Sequence, residues 1–187
     1  MTRHALILAA GKGSRFGYPK SWISLHGIPL IQAHINAIKS YMPVRAIVSN
    51  LRQATILHDC TIIHNPHGTS MKSSITLGIE GLENADHVLI VPVDTVPITE
   101  EMLNMLIQYK PPAVMSYNQQ AGHPIWLSVK SIRNLHPNQT LQTLSQQAQH
   151  CLSTKQCLTN FNYPQDWIDF WGERPRRWNK SINPTKK

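Results

Sequence analysis

The residues best suited to chemistry crowd into one short stretch. Gly11-Lys12-Gly13-Ser14-Arg15-Phe16-Gly17-Tyr18-Pro19-Lys20 follows directly on the apolar run Ala5-Leu6-Ile7-Leu8-Ala9-Ala10. Glycine permits positive φ and close main-chain approach, so successive N–H groups can face phosphate oxygens. Arginine grips a phosphate through two parallel N–H bonds, and lysine sits beside one as a point charge. Arg15 and Lys20 are the candidates for those roles. The plainer alternative, a glycine turn with solvated cations, fits less well directly after a buried strand. Two common phosphate loops are excluded. Walker A ends in Gly-Lys-Ser/Thr, and here Lys12 is followed by Gly13. The dinucleotide fingerprint requires a third glycine where Phe16 stands and an acid some twenty residues on, whereas the first acid is Asp59. A second signal is Val91-Pro92-Val93-Asp94-Thr95-Val96-Pro97. Asp94 ends an apolar strand, where a lone carboxylate is costly without a partner; it either caps the loop or faces a cation.

The elements that must position these residues are read from hydrophobic periodicity. Short apolar runs predict strands at Ala5–Ala9, Val44–Ser49, Thr61–His64, Val88–Val93, Ala113–Tyr117 and Pro124–Leu127. Helical spacing predicts helices from Pro29 to Tyr41, Leu51–His58, Met71–Leu82, Thr99–Tyr109, Ser128–Leu135, Thr140–His150 and Pro164 to Trp171. Thr99 caps its helix, and Glu100 and Glu101 meet the positive end of the helix dipole. Strands alternating with helices predict a three-layer α/β domain around a mostly parallel sheet. In such sheets ligands lie beyond the C-terminal strand ends, so the glycine loop and Asp94 should share one edge.

Composition sets the remaining bounds. The chain has 187 residues, 41% hydrophobic and 15% charged, a globular rather than disordered balance. We take residues 1–172 as one domain and 173–187 as a basic tail. Its net charge of +8 is unevenly spread: residues 1–58 carry seven Lys/Arg and no acid, and residues 173–187 carry a net +5. A basic N-terminal third suits an anionic ligand. The tail, Arg174-Pro175-Arg176-Arg177-Trp178-Asn179-Lys180, is read as a solvated terminus, so nucleic acid is not an expected partner. No apolar run reaches the ~20 residues of a membrane span, and glycines and charges soon follow the first apolar run, so a cytoplasmic chain is expected. Cys60, Cys151 and Cys157 are odd in number and outside CxxC spacing, against a disulfide framework or zinc site.

Leu8-Ala9-Ala10-Gly11-Lys12-Gly13-Ser14-Arg15-Phe16-Gly17-Tyr18-Pro19-Lys20 resembles the LAAGxGxRxGxPK signature of MobA-like nucleotidyltransferases. Ile28-Pro29-Leu30-Ile31 resembles the entry to that family's first helix. Further segments fall in the family's order: Asn65 to Ile75, the Asp94 segment, Gly122-His123-Pro124-Ile125, and Asn160-Phe161-Asn162-Tyr163-Pro164-Gln165-Asp166-Trp167. The resemblance implies a single Rossmann-like α/β/α domain that moves a nucleoside monophosphate from an NTP to a phosphorylated small-molecule acceptor, releasing pyrophosphate. It implies nucleotide contacts at Leu8, Ala9, Ala10, Gly11, Gly13, Ser14, Ser73 and Ser74, with His123 towards the acceptor. It also implies catalytic roles for Arg15, Lys20 and Asp94, and Mg2+ held by Asp94 with Asn162. Mg2+ takes one or two carboxylates together with phosphates and water, so a single aspartate suffices. LAAG rather than LAGG resembles the molybdenum cofactor cytidylyltransferase branch, which favours CTP over GTP and allows a molybdopterin-type acceptor. Two departures stand out. Tyr163 replaces the family's capping threonine, and the branch's acceptor-side Gly-Asp is missing near residues 133–146. The second departure leaves open a nucleotide-binding or regulatory module of the same fold.

Overall fold

Seven strands form one sheet in the computed structural model, which describes residues 2–67, 70–82, 86–136 and 140–179. In chain order they are β1 (Arg3–Ala9), β4 (Val44–Val48), β5 (Thr61–His64), β6 (His87–Pro92), β7 (Ala113–Tyr117), β8 (Gln120–Ser128) and β9 (Gln149–Leu152); β2 (Ser24–Leu25) and β3 (Ile28–Pro29) form a separate small hairpin. The sheet order is β5-β4-β1-β6-β8-β7-β9. β1 pairs in parallel with β4 and β6, β4 with β5, and β7 with β9, while β8 runs antiparallel between β6 and β7. The sheet is therefore mixed and mostly parallel, as its apolar central strands required.

Alternation along the strands divides the core between two faces. Ala5, Ile7 and Ala9 of β1 point to one side, where Ile31, Ile35 and Ile38 of α1 (Leu30–Ile38) and Leu103 and Leu106 of α4 (Glu100–Leu106) cover them. Leu6 and Leu8 point to the other, under Ile75 and Ile79 of α3 (Met71–Ile79), Ile132 of α5 (Val129–Arg133) and Leu144 of α6 (Leu141–Gln146). Gly78 lets α3 lie close to the sheet, since a Cβ there would come within 2.9 Å of a Leu6 methyl. A third cluster sits at the C-terminal edge, where Trp167 of α7 (Pro164–Trp171) packs with Phe161, Phe16, Ile23 and Leu30. No helix among the described residues is long and apolar enough to cross a membrane.

Three segments differ from expectation. Leu51–His58 shortens to a single turn, α2 (Leu51–Ala54), closed by the Asn50 and Gln53 capping box. The helix expected over Thr140–His150 stops at Gln146, and Gln149–Leu152 adds β9 to the sheet edge. Cys151 enters the core there, and pairing with β7 outweighs the helix propensity of the glutamines. The described part of the basic tail is tied down by its main chain while Arg174, Arg176 and Arg177 stay exposed: Ser24 N–H donates to the Arg176 carbonyl at 2.8 Å, and Trp178 N–H to the Trp22 carbonyl at 2.7 Å. Residues 180–187 lie outside the described part.

Candidate functional site

The parallel register sets Leu8 opposite Pro92, so the segments leaving β1 and β6 emerge side by side. Between them and the start of α3 opens a cavity of about 420 Å³. Of the residues expected to form a site, Leu8, Ala10, Gly11, Gly13, Ser14, Arg15, Lys20, Ser74, Asp94 and Asn162 line it. Ala9, Ser73 and His123 do not. Ala9 points into the core beside α1. Ser73 is occupied at the start of α3, where its hydroxyl donates to the Ser70 carbonyl at 2.9 Å. Ser70, Met71, Pro92 and Val93 complete the wall. The first two belonged to the Asn65–Ile75 segment but carried no assigned contact.

The glycine loop holds its shape through Gly13, whose φ is +65° and whose missing Cβ leaves room for the Tyr18 carbonyl. Phe16 N–H closes the turn onto the Gly13 carbonyl at 2.9 Å. This puts Arg15 at the cavity mouth, its guanidinium 5.8 Å from the centre of the exposed Tyr163 ring. Lys20 begins a 3-10 turn, Lys20–Trp22, and reaches back into the cavity. Its ammonium donates to Asp94 Oδ2 at 2.7 Å and to Asn162 Oδ1 at 3.3 Å.

Asn162 arrives from far along the chain through main-chain pairing. Phe161 N–H donates to the Asp94 carbonyl at 2.6 Å, and Thr95 and Asn160 form an isolated β-bridge. The Asp166 carboxylate then accepts from the N–H groups of Asn162 at 2.7 Å and Tyr163 at 2.8 Å. A carboxylate at the start of α7 thus anchors the loop although the capping threonine is absent.

Asp94 and Asn162 present one carboxylate and one amide oxygen to a single cation, the Lys20 ammonium. That donor set fits a hard divalent cation whose other ligands are phosphate oxygens and water. Among the described residues no group of three or more His, Cys, Asp or Glu could hold a metal without such help.

Two histidines flank the Asp94 loop. His123 on β8 is half-buried; burial lowers its pKa, and the Asp94 charge opposes the shift. Its Nδ1 has no hydrogen-bond partner among the described residues. His34 on α1, missed in the sequence, is fully buried, and burial pushes its pKa down to about 4. The main chain at Val93 and Thr95 and the Asp94 charge oppose that shift, but neither ring nitrogen makes a well-formed hydrogen bond. Its only trace in the sequence was a polar residue on the apolar face of the first helix.

Residues 5–155 match the family model described as the MobA-like NTP transferase domain, and the chain belongs to that family. Over 119 residues it is 29% identical to the bifunctional protein GlmU of Streptococcus pyogenes, a match covering 58% of this chain and 25% of that protein. The chain thus spans about a quarter of the length of the curated relatives it matches. The structure of an rv0371c homologue from Mycobacterium sp. strain JC1 superposes with a TM-score of 0.73 at 18% identity, covering 91% of this chain and 95% of that one. A manganese complex of Rv0371c from Mycobacterium tuberculosis superposes with a TM-score of 0.72 at 13% identity, covering 92% and 100%. These structural likenesses establish the fold.

Proposed function

We propose that this member of the MobA-like NTP transferase domain family moves a nucleoside monophosphate from an NTP to a phosphorylated small-molecule acceptor. The carrying observation is that Arg15, Lys20 and the Asp94–Asn162 pair converge on one open cavity beyond β1 and β6. The Gly11–Ser14 main chain cradles the triphosphate, and Arg15 leaves the Tyr163 ring to hold the pyrophosphate end. Lys20 turns from Asp94 to the α-phosphate, where it stabilises the charge of in-line displacement. An oxygen of the acceptor's phosphate forms the new bond to the α-phosphorus. The bond from that phosphorus to the bridging oxygen breaks, and pyrophosphate departs with the electron pair. Asp94 and Asn162 would hold Mg2+, which supplies charge neutralisation on the triphosphate when bound. His123, on β8 and outside the cavity lining, keeps the acceptor-side role that the family resemblance implies. The manganese in one similar structure agrees with a divalent cation in this fold.

CTP is the favoured donor because Ala10 stands where a second glycine would widen the pocket, a modest discriminator worth one methyl. The test is a titration with CTP and GTP, each with Mg2+, read by calorimetry and melting temperature. Tighter binding of CTP is expected. Failure of every NTP to raise the melting temperature at millimolar concentration would overturn the assignment. Retained NTP binding without turnover on any phosphorylated acceptor would instead favour the nucleotide-binding module, the reading motivated by the missing Gly-Asp near residues 133–146.

A further inference from the structure

The 3-10 turn that starts at Lys20 is clamped from two sides. On one, buried Ser21 accepts a 2.6 Å hydrogen bond from the Gln53 amide of α2. On the other lies the chain after α7, beyond the part matched by the family. That segment runs antiparallel to residues 22–24 through a single bridge and the hydrogen bonds that flank it. Ile23 and Arg177 form an antiparallel bridge, Ser24 N–H donates to the Arg176 carbonyl at 2.8 Å, and Trp178 N–H donates to the Trp22 carbonyl at 2.7 Å. Side chains reinforce the main chain. The Trp178 and Trp22 rings lie 6.0 Å apart, and the Arg177 guanidinium sits 5.9 Å from the Trp22 ring. Trp178 Nε1–H donates to the Gly27 carbonyl at 3.1 Å, at the tip of the hairpin.

We propose that Trp178 is a positioning residue, the pin of a C-terminal strap that fixes the Lys20–Trp22 turn and so aims Lys20 into the cavity. Lys20 has a long, flexible stem, and its ammonium reaches Asp94 only if the main chain beneath is held. Within the turn, the Trp22 and Ile23 N–H groups bond the Pro19 and Lys20 carbonyls at 3.0 Å each. A three-residue 3-10 turn has little stability of its own. The Gln53 bond restrains only its middle residue. The strap restrains the last residue through both main chain and ring, leaving the first residue one direction to point. Arg176 and Arg177 are therefore part of a segment held by its main chain, and their charge accompanies the anchor.

The consequence for nucleotide binding rests on the function proposed above, whereas the placement of Lys20 does not. The test separates the two. Full-length wild type, Trp178→Ala, Trp178→Phe and Arg177→Ala are exposed to an amine-acylating reagent without nucleotide. Labelling of Lys20 is measured by peptide mass spectrometry against Lys39, whose side chain is 40% exposed and paired with Asp59. In the wild type Lys20, 16% exposed, is labelled more slowly than Lys39. Trp178→Ala should raise the Lys20:Lys39 ratio severalfold, and Trp178→Phe, which keeps a ring on Trp22, should restore most of the protection. A general loss of stability would raise both rates together. If Trp178→Ala does not fold, Arg177→Ala, which removes only the cation on Trp22, should still raise the ratio measurably. An unchanged ratio in every folded variant overturns the proposal. In a second arm, the affinity for CTP with Mg2+ should fall on the order of tenfold in Trp178→Ala, as expected when a positioned group is displaced by a fraction of an ångström. If wild type binds no NTP, the proposed function fails, and the labelling result still decides the strap.

Discussion

Replacing Asp94 with asparagine removes one charge from the centre of the cavity while keeping the shape of the side chain. The lost partner is the Lys20 ammonium at 2.7 Å. At an effective dielectric of about 20, the gross attraction at that separation is about 6 kcal/mol. Desolvation of both ions offsets most of it. Side-chain exposures of 16% and 27% place the pair between the surface and buried limits, so the net loss should be about 2 kcal/mol. For a chain of 187 residues this lowers the melting temperature by about 4–8 °C without unfolding the protein at 25 °C. The functional effect should have a different signature. Metal-free NTP binding should hold or improve, because a carboxylate no longer repels phosphate and Lys20 is no longer tied to it. The strengthening of NTP binding by Mg2+ should fall by at least about tenfold, since the only carboxylate among the described residues lining the cavity is gone. Turnover with a working acceptor should drop about a hundredfold or more, as for other losses of a preorganised group. Calorimetric titration of CTP with and without Mg2+, beside thermal melts, measures both parts. A variant that melts lower yet keeps the full Mg2+ response would show that Asp94 is only the structural partner of Lys20, and the metal assignment would fall.

Lys20→Met removes the ammonium that lies between Asp94 and Asn162; Mn2+ alone, followed by electron paramagnetic resonance, should bind this variant severalfold more tightly than wild type, and equal affinity would refute the shared position. His34 has a folded pKa of about 4 against an ordinary 6.5, so the unfolded chain binds the extra proton and stability falls as pH drops from 6.5 through 4. The loss should reach about 3 kcal/mol by pH 4, visible in urea melts as a slope that His34→Gln flattens; equal slopes would mean that His34 protonates without cost. Tyr163→Ala should release Arg15 from the ring and change NTP affinity no more than about fivefold, towards tighter binding, in keeping with an exposed cation–π contact. A loss beyond tenfold would instead make Tyr163 a direct contact to ligand.

The sequence made the nucleotide side of the cavity legible because that side is local. A buried strand followed by glycines fixes its own loop, and parallel pairing of β1 with β6 puts Asp94 next to it without help from distant segments. Asn162 was found by motif alone; its place depends on main-chain pairing of residues 160–161 with the Asp94 loop, which no local pattern encodes. His34 was hidden because helical periodicity reports which face is buried, and a histidine on that face reads as an ordinary polar interruption. β9 was hidden because Gln149–Leu152 has one inward residue, Cys151, and its strand character comes from β7. The strap was misread for a similar reason: the arginines dominate the composition, while the contacts are made by main chain and by Trp178.

These observations combine in the charge balance of the cavity. Arg15, Lys20 and Asp94 are the charged residues among the described ones that line it; Lys20 neutralises Asp94 while Arg15 rests against Tyr163. Both cations are thus held by weak or exchangeable partners rather than locked in buried pairs. Arg15 can turn to a phosphate by giving up its contact with Tyr163, and Lys20 by giving up Asp94 and Asn162, and the turn beneath Lys20 keeps that movement within the side chain. When Lys20 leaves, Asp94 and Asn162 are left facing each other with no cation between them, an arrangement that is costly in a partly desolvated cavity. On the proposed function, the same ammonium would couple triphosphate binding to divalent cation binding. The chain should take up its metal together with the nucleotide rather than before it.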